Sequence, residues 1–441
     1  MSGDQDGRVE MAFGSKVLSS TASFDPYWWR AAPHEDAIPP TLPQQTDVAI
    51  IGSGITGLVA AIDLARAGRR VTVFEAHEPG HGASTRNAGY VGRTLKHGFG
   101  EIMEARGLDH AKRVYGELME AFIAVKDVVE QEKIACHYRQ QGRLLLATST
   151  AMYDAMGREF DLRETHLGEA FAMVDRAGQH AEIGSDHYFG GVKIGDHAGL
   201  HPGLYHKGLL DAARQAGVEI CGFSPVAGFA KDGEGFKLSV RKQKISVRQL
   251  IVATNGYSGP AWPWLQRRIM PFDAYQTVST PLGEERVRAL LPGDRTFIDW
   301  NFNVDWMRRA PDDPTRIIFG GLTGERGQDL RIMAERLHLR LLRIFPDLVD
   351  LQFDHVWTGK CGGTFDISPR IGCHAGVHYA GGYCFAGVPM GTLFGKKLAR
   401  RILGQSGGNS AFDTPPPTRF FYNGNPWFVP YAVRWLSRKD R

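Results

Sequence analysis

Cysteine is scarce in this chain: five residues, Cys136, Cys221, Cys361, Cys373 and Cys384, among 441. The number is odd, the positions are far apart and no Cys-x-x-Cys pair occurs. That argues against a disulfide framework and a structural zinc site, and it fits a reducing compartment. Long apolar runs are missing as well, with no stretch of about 18 residues that would cross a bilayer as a helix. The first residues, Met-Ser-Gly-Asp-Gln-Asp, carry acids where a signal peptide carries bases, so a cytoplasmic location is expected. Charge of one sign is equally scarce. Lys and Arg total 52 against 48 Asp and Glu, a net +4, too weak a bias to favour nucleic acid as a partner. The histidines show no His-Glu-x-x-His motif, so no metal is expected.

Glycine, by contrast, is abundant. The 53 glycines are about 12% of the chain against a usual ~7%, which predicts tight turns or close approaches of backbone to a ligand. With 43% hydrophobic and 23% charged residues the composition is globular, and the length implies about two to three domain-sized pieces. Residues 1–23 are polar and aperiodic and read as a flexible tail. The aromatic segment Pro26-Tyr27-Trp28-Trp29-Arg30 reads as packed on the body, and prolines 33, 39, 40 and 43 mark a linker. The pattern predicts helices at 56–67, 101–134, 203–216, 327–345 and about 391–403, with short helices alternating with polar stretches over 151–175. It predicts strands at 47–51, 71–75, 142–147, 218–221, 236–240, 249–253, within 296–323, and at 383–386.

Gly52-Ser-Gly54-Ile-Thr-Gly57 falls between the first strand and the first helix, and Glu75 ends the next strand, 23 residues after Gly52. Gly52 suits the tight turn. Gly54 lets backbone approach a pyrophosphate, and Gly57 lets helix and strand pack closely. Glu75 suits ribose hydroxyls and disfavours a 2′-phosphate, which argues against NADP. The helix start supplies free N–H groups and a positive dipole end. Strand, motif, helix, second strand and terminal acid agree, which separates this from a glycine-rich turn without a ligand. The motif by itself leaves FAD and NAD both open.

Continued into Gly80-His-Gly-Ala-Ser-Thr-Arg-Asn-Ala-Gly89, the stretch resembles the FAD-dependent amine and D-amino-acid oxidase superfamily. The most similar branch is the gamma-glutamylputrescine oxidoreductase-like group, related to glycine and sarcosine oxidases. Tyr27-Trp28, Leu200-His-Pro202, Ala253-Thr-Asn-Gly-Tyr257, Ile317-Ile-Phe-Gly-Gly321, Trp357-Thr-Gly359 and Pro369-Arg-Ile-Gly372 extend the resemblance over residues 26–405. It implies an α/β fold. A Rossmann-like FAD-binding domain (24–98, 190–262 and 362–412) is interrupted by an α+β substrate domain with a large antiparallel sheet (99–189 and 263–361). Residues 413–441 are left as a C-terminal tail or lid.

The resemblance implies FAD as the cofactor, bound by Gly52, Gly54, Ile55, Thr56, Gly57, Glu75, Ala76, Gly82, Ala83, Ser84, Thr85, Asn87, Ala88, Gly89, Val226, Gly359, Gly387, Met390, Gly391 and Thr392. In that assignment Ser84 and Thr85 offer hydroxyl and N–H groups to the phosphates. Arg86, Asn87 and Gly89 carry the chain past the flavin ring, and Val226 meets the adenine. A helix starting near Gly391 points its positive end at the flavin pyrimidine, favouring the charge of the reduced ring. Three departures accompany this. Thr85 and Ala88 replace glycines common in the branch and narrow the flavin approach. Asp305-Trp-Met-Arg308 replaces a tyrosine-rich element, which implies a different substrate pocket. No lysine stands on the 317–319 strand, where sarcosine oxidases carry one for reaction with oxygen, so O2 and an electron carrier are both open as acceptor.

The implied reaction oxidises the C–N bond of a small amine or amino acid to an imine, by hydride transfer to flavin N5 and then hydrolysis. The cofactor supplies the difficult step, so the candidates in the protein are binding residues. Arg308 is a candidate carboxylate clamp, against a surface arginine beside Arg309. Trp306, Tyr257 and Trp357 are candidate walls of an amine pocket, against plain core aromatics, and Tyr90 is a further candidate. Lys360 is a candidate for tuning the flavin, against a solvated loop lysine. His81 and Cys361 are possible points of covalent flavin attachment. The aromatic and basic residues of 419–441 suit a membrane-surface contact, or a lid on this domain or a second subunit. An FAD monooxygenase using NAD(P)H and a non-catalytic flavoprotein subunit stand as alternative functions.

Overall fold

The computed structural model describes residues 17–34, 40–325, 327 and 329–440, without the side chains of the last two. Most of the expected N-terminal tail and part of the proline-marked linker lie outside the described residues. Two sheets organise the rest. Gln45–Ile51 reads as an apolar run because helices and loops cover both of its faces, as in parallel sheets generally. It pairs in parallel with Val71–Phe74 and with Gln243–Val252. Glu219–Cys221 extends the sheet on one side and Val377–Gly381 on the other. Val226–Asp232, Gly235–Val240 and Arg370–His374 complete eight strands.

Helix Ile55–Arg66 has Ile55–Ile62 and Leu64 buried. It is apolar around its circumference because it packs on the sheet and also against helices Gly387–Ile402 and Pro202–Gln215. Glycines permit these approaches. A Cβ at Gly57 would stand 2.0 Å from the Gly52 carbonyl oxygen, and one at Gly395 would stand 2.8 Å from that of Thr56.

The second sheet has nine strands, in the order Leu18–Ser23, Phe353–Gly363, Met270–Ser279, Ile317–Gly321, Trp306–Arg309, Thr296–Asp299, Arg143–Leu146, Gly191–Ile194 and Ala172–Val174. Helix Leu330–Ile344 covers part of it through Met333, Leu337 and Leu341. The α/β architecture is the expected one, with two strands placed differently from the sequence reading. Leu18–Ser23, read as tail, is an edge strand parallel to Phe353–Gly363, and Ser19 donates to Asp354 at 2.7 Å. Its small polar residues give no apolar alternation to detect. Gly191–Ile194 follows the boundary drawn at 190, yet it pairs with Arg143–Leu146 and Ala172–Val174.

Other elements also differ. Residues 151–175 hold one long helix, Thr150–Leu167, capped by the Ser149 side chain and ended by left-handed Gly168. Its polar stretches are its solvent face. The helix expected over 101–134 breaks at Gly107, where φ is +84°, into Phe99–Arg106 and Leu108–Gln131. Residues 383–386 are not a strand. They form a turn with φ of +46° at Cys384 and +78° at Phe385, and it delivers the chain into a helix that starts at Gly387, four residues before the expected start.

The aromatic N-terminal segment packs on the body as expected. Trp28 is buried with Val278, Ile318 and Trp357, and its Nε1 donates to the Asn87 carbonyl at 2.9 Å. At the other end, Phe421, Tyr422 and Phe428 pack their rings around Phe365, and the Tyr422 hydroxyl donates to the Ile269 carbonyl. Helix Val429–Leu436 leaves Tyr431 and Trp435 exposed beside Arg434, with Trp427 exposed just before it. No helix of the described residues is long and apolar enough to cross a membrane.

Candidate active site

A cavity of about 500 Å³ runs from the eight-stranded sheet into the nine-stranded one. Its first end is the glycine-rich turn. Gly52 adopts φ +106°, and a Cβ there would meet the Ala253 carbonyl at 2.9 Å, so both its conformation and its space require glycine. Gly54 caps helix Ile55–Arg66 without a side chain, which leaves the helix end open to an anionic group. Ser84 reaches this end, and its Oγ accepts the Ile55 N–H at 3.0 Å. The Glu75 carboxylate is fixed in advance: Oε2 accepts from the Ser53 N–H and hydroxyl at 3.0 and 2.8 Å, and Oε1 from the Ala76 N–H at 2.8 Å. Pro225 and Val226, at the start of the strand Val226–Asp232, line the same end.

The loop 82–89 forms the middle of the cavity and is held from behind. The Asn87 amide donates to the Ala83 and Ser84 carbonyls and accepts the Gly89 N–H at 2.8 Å. Trp357 Nε1 and the Gln276 amide both donate to the Arg86 carbonyl, at 3.0 and 2.5 Å. Helix Gly387–Ile402 starts opposite, and Gly387 and Val388 line the cavity. This placement moves the expected dipole contact from Gly391 to Gly387.

The far end lies in the second sheet, among Tyr90, Thr94, Arg143, Gln276, Ile298, Val304, Trp306 and Cys361. The Tyr90 hydroxyl lies 2.6 Å from the Met307 carbonyl and 2.9 Å from that of Phe297. Burial pushes its pKa up, so the phenol stays neutral. Burial likewise raises the Cys361 thiol to about 12, which keeps it protonated. Arg143 stacks 5.0 Å above the Tyr90 ring. Burial pulls its pKa down to about 10, so it remains a cation at neutral pH. Trp306 lies against Gly320, where a Cβ would stand 2.3 Å from the indole.

The structure therefore brings together Gly52, Gly54, Ile55, Thr56, Glu75, Ala76, Gly82, Ala83, Ser84, Asn87, Ala88, Val226, Gly359 and Gly387. Tyr90, Tyr257, Trp306, His81 and Cys361 face the same cavity. Gly57 serves behind it, as the packing glycine. The remaining expectations are corrected. The Thr85 hydroxyl turns inward, donating to the Gly80 carbonyl and accepting from Trp29 Nε1. Gly89, at φ +71°, backs onto the Leu200 carbonyl, 2.1 Å from where a Cβ would be. Met390, Gly391 and Thr392 lie a turn inside the helix. Gly391 touches Thr56, and the Thr392 hydroxyl pairs with that of Tyr205.

Arg308 is no clamp in the cavity. It is buried beneath the loop, and its Nη1 donates to the carbonyls of Leu200 and Ala88 at 3.0 and 3.2 Å. Trp357 is fully buried in the core. The Lys360 side chain is exposed and does not line the cavity. Arg143 went unnoticed in the sequence, although an arginine heading the apolar Arg143–Leu146 strand was a visible signal. Gln276 and the Cys384–Phe385 turn offered none.

The family described as "DAO: FAD dependent oxidoreductase" matches residues 47–401. The chain belongs to this family. FAD is accordingly its cofactor, and the open helix end, the fixed Glu75 carboxylate and the glycine turn fit the pyrophosphate and ribose of that molecule. Across 405 residues the enzyme is 29% identical to the gamma-glutamylputrescine oxidoreductase of Escherichia coli K12, covering 90% of this chain and 93% of that one. Among solved structures it is similar to glycine oxidase from Geobacillus kaustophilus, with TM-score 0.67 and 19% identity over 84% of this chain and 97% of that one. It is also similar to L-proline dehydrogenase from P. horikoshii, with TM-score 0.68 and 17% identity over 89% and 99%.

Proposed function

We propose that this FAD-dependent oxidoreductase oxidises the C–N bond of a small amine or amino acid to an imine that water hydrolyses, passing the electrons to O2 or an electron carrier. One observation carries the reading. The cavity that begins at the pyrophosphate cradle continues into a compartment walled by Tyr90, Ile298, Val304 and Trp306, where burial keeps the Tyr90 phenol and the Cys361 thiol protonated, so neither serves as a base near neutrality. Such a site orients a substrate and leaves the chemistry to the cofactor. FAD, when bound, supplies the hydride acceptor. The relatives named above oxidise an amine or an amino acid by their names, which agrees with this chemistry.

The chain's own residues contribute in three ways. Trp306, Ile298 and Val304 exclude water from the compartment. The Asn87, Trp357 and Gln276 contacts hold the loop that would lie along the flavin. The N-terminus of helix Gly387–Ile402 offers N–H groups and a positive end where negative charge develops. The test is the visible spectrum of the anaerobic holoprotein, recorded before and after adding amino acids and amines. Bleaching is expected. A spectrum that stays oxidised with every amine and is reduced by NADH would refute the reading in favour of a monooxygenase.

A further inference from the structure

A second cavity, of about 230 Å³, shares no lining residue with the first. His137, Arg139, Gln141, Asp294, Arg308 and Arg309 are among its walls. Arg308 connects the two. Its Nη1 donates to the Leu200 and Ala88 carbonyls at 3.0 and 3.2 Å, and Ala88 lines the active-site cavity. One guanidinium thus stands between the flavin loop and a separate hollow. The charges around that hollow do not balance, because three guanidiniums face one carboxylate. Asp294 pairs with Arg139 and lies 3.7 Å from Arg309 Nε, so it serves two of the three. Arg308 is 2% exposed, and its acceptors are uncharged carbonyls, those of Ala88, Gly89, Leu200 and Arg309. Burial pulls its pKa down to about 10, so it remains a cation at neutral pH. Asp312 also acts on Arg308, but it does not line the cavity and accepts from the Tyr27 hydroxyl at 3.1 Å. Two polar atoms of the walls are left over. Arg309 Nε and Gln141 Oε1 are buried with no hydrogen-bond partner. Buried polar atoms are normally satisfied and buried cations normally compensated, so the walls are those of a site that a ligand completes.

We propose that this second cavity binds a small phosphate-like dianion, held by Arg139, Arg308 and Arg309, and that the anion steadies the flavin loop through Arg308. Two positive charges in excess on the walls match a doubly charged ligand. Guanidinium forks suit phosphate oxygens in charge and in geometry. The Gln141 amide can take a hydroxyl or turn its nitrogen to an oxygen. The hollow has room for several water-sized groups, so free phosphate and the head of a phosphate monoester both fit. The link to the cofactor follows from the shared side chain. Arg308 holds the Ala88 and Leu200 carbonyls through Nη1, and an anion that fixes the rest of its guanidinium fixes those carbonyls too. Anion and FAD then reinforce each other, and the effect is reciprocal. None of this depends on which substrate the flavin oxidises.

The experiment titrates the holoprotein, whose pyrophosphate cradle is already filled, with potassium phosphate, glycerol 3-phosphate and succinate. Potassium chloride at matched ionic strength is the control, and calorimetry is the readout. Saturable binding of phosphate is expected. R139Q is expected to bind it about fivefold more weakly and the double variant R139Q/R309Q about 50-fold more weakly. D294N removes the carboxylate that competes for the same guanidiniums, and it is expected to bind phosphate about fivefold more tightly. FAD release from the holoprotein, followed by flavin fluorescence, should slow about fivefold in saturating phosphate for the wild type and be unaltered by phosphate in the double variant. Should the double variant fail to fold, R139Q and D294N decide the matter, since Arg139 is exposed and asparagine keeps the shape of Asp294. Tighter binding of glycerol 3-phosphate than of phosphate supports the site with an organic phosphate as its ligand, and the opposite order supports it with the free ion. The absence of saturable phosphate binding would overturn the proposal. So would a preference for succinate, phosphate affinity unaltered in both R139Q and D294N, or FAD release indifferent to bound phosphate.

Discussion

Replacing Gly57 by alanine tests the cofactor cradle through its packing rather than its contacts. The added Cβ would stand 2.0 Å from the Gly52 carbonyl oxygen, 3.2 Å from its carbon and 3.3 Å from Ile50 Cγ2. Real Cβ atoms essentially never approach within 3.0 Å, so helix and turn must separate by about 1 Å. Both obstacles at Gly52 are backbone, and no rotamer change relieves them. Overpacking of this kind costs roughly 3 kcal/mol. For a chain of this length, unfolding entropy scales to about 0.9 kcal/mol per kelvin, so the apoprotein should melt about 3 °C lower if it unfolds cooperatively. The cofactor should suffer more. A 1 Å shift of the helix end misplaces N–H groups aimed at a charged pyrophosphate, and losing one or two charge-assisted hydrogen bonds weakens FAD about 100-fold. Titrating apoprotein with FAD by fluorescence quenching, beside calorimetry of the same samples, measures both effects. Gly68→Ala is the control. It has φ +81° and nothing within 4 Å, so it should cost about 1 kcal/mol of stability without touching FAD affinity. Wild-type FAD affinity in G57A would refute the reasoning.

Two further outcomes follow from buried charge. Asp299 is buried beside Asp305, and burial together with that neighbour raises its pKa well above the usual carboxylate value, while Asp305 itself is raised to about 6. The folded state thus holds a proton that the unfolded state releases above about pH 4, so stability falls as pH rises, by up to about 1.4 kcal/mol per unit for each such proton. Asp299→Asn should flatten the melting temperature between pH 5 and 8, and an unchanged slope would count against the assignment. Arg308→Lys leaves carbonyls of the flavin loop unpaired at about 1–3 kcal/mol. It should lower the melting temperature and weaken FAD about tenfold; FAD affinity equal to that of the wild type would count against this supporting role.

The nucleotide half of the site was legible because its demands are local. A strand, a glycine spacing, a helix and an acid follow one another within 30 residues, and each constraint shows in the residue type. The substrate half was not legible, because it is assembled from strands far apart in the chain. Arg143 and Arg308 look alike in the sequence, each followed or flanked by apolar residues. Only the fold shows that one faces the cavity while the other supports Ala88 and Leu200 from below. The helix start at Gly387 was missed for a different reason. The turn before it uses positive φ at Cys384 and Phe385, where no glycine signals it, and Pro389 sits within the first helical turn, where it is tolerated. Strained backbone of this kind beside a cavity is a common property of functional sites.

The cradle and the helix that packs on it lie more than 300 residues apart in the chain, and this has a consequence for biosynthesis. The fingerprint emerges early, complete by Glu75. Helix Gly387–Ile402, which covers Ile55–Arg66 and borders the cavity, emerges near the end. At about 5–20 residues per second the interval is on the order of tens of seconds. Throughout it the nascent chain carries an apolar helix without its neighbour, and the motif that announces the cofactor cannot yet hold it. Cofactor capture is thus expected late, once helix Gly387–Ile402 has left the ribosome. A nonsense mutation that ends the chain before residue 387 would preserve every residue of the fingerprint and still give a flavin-free, aggregation-prone product.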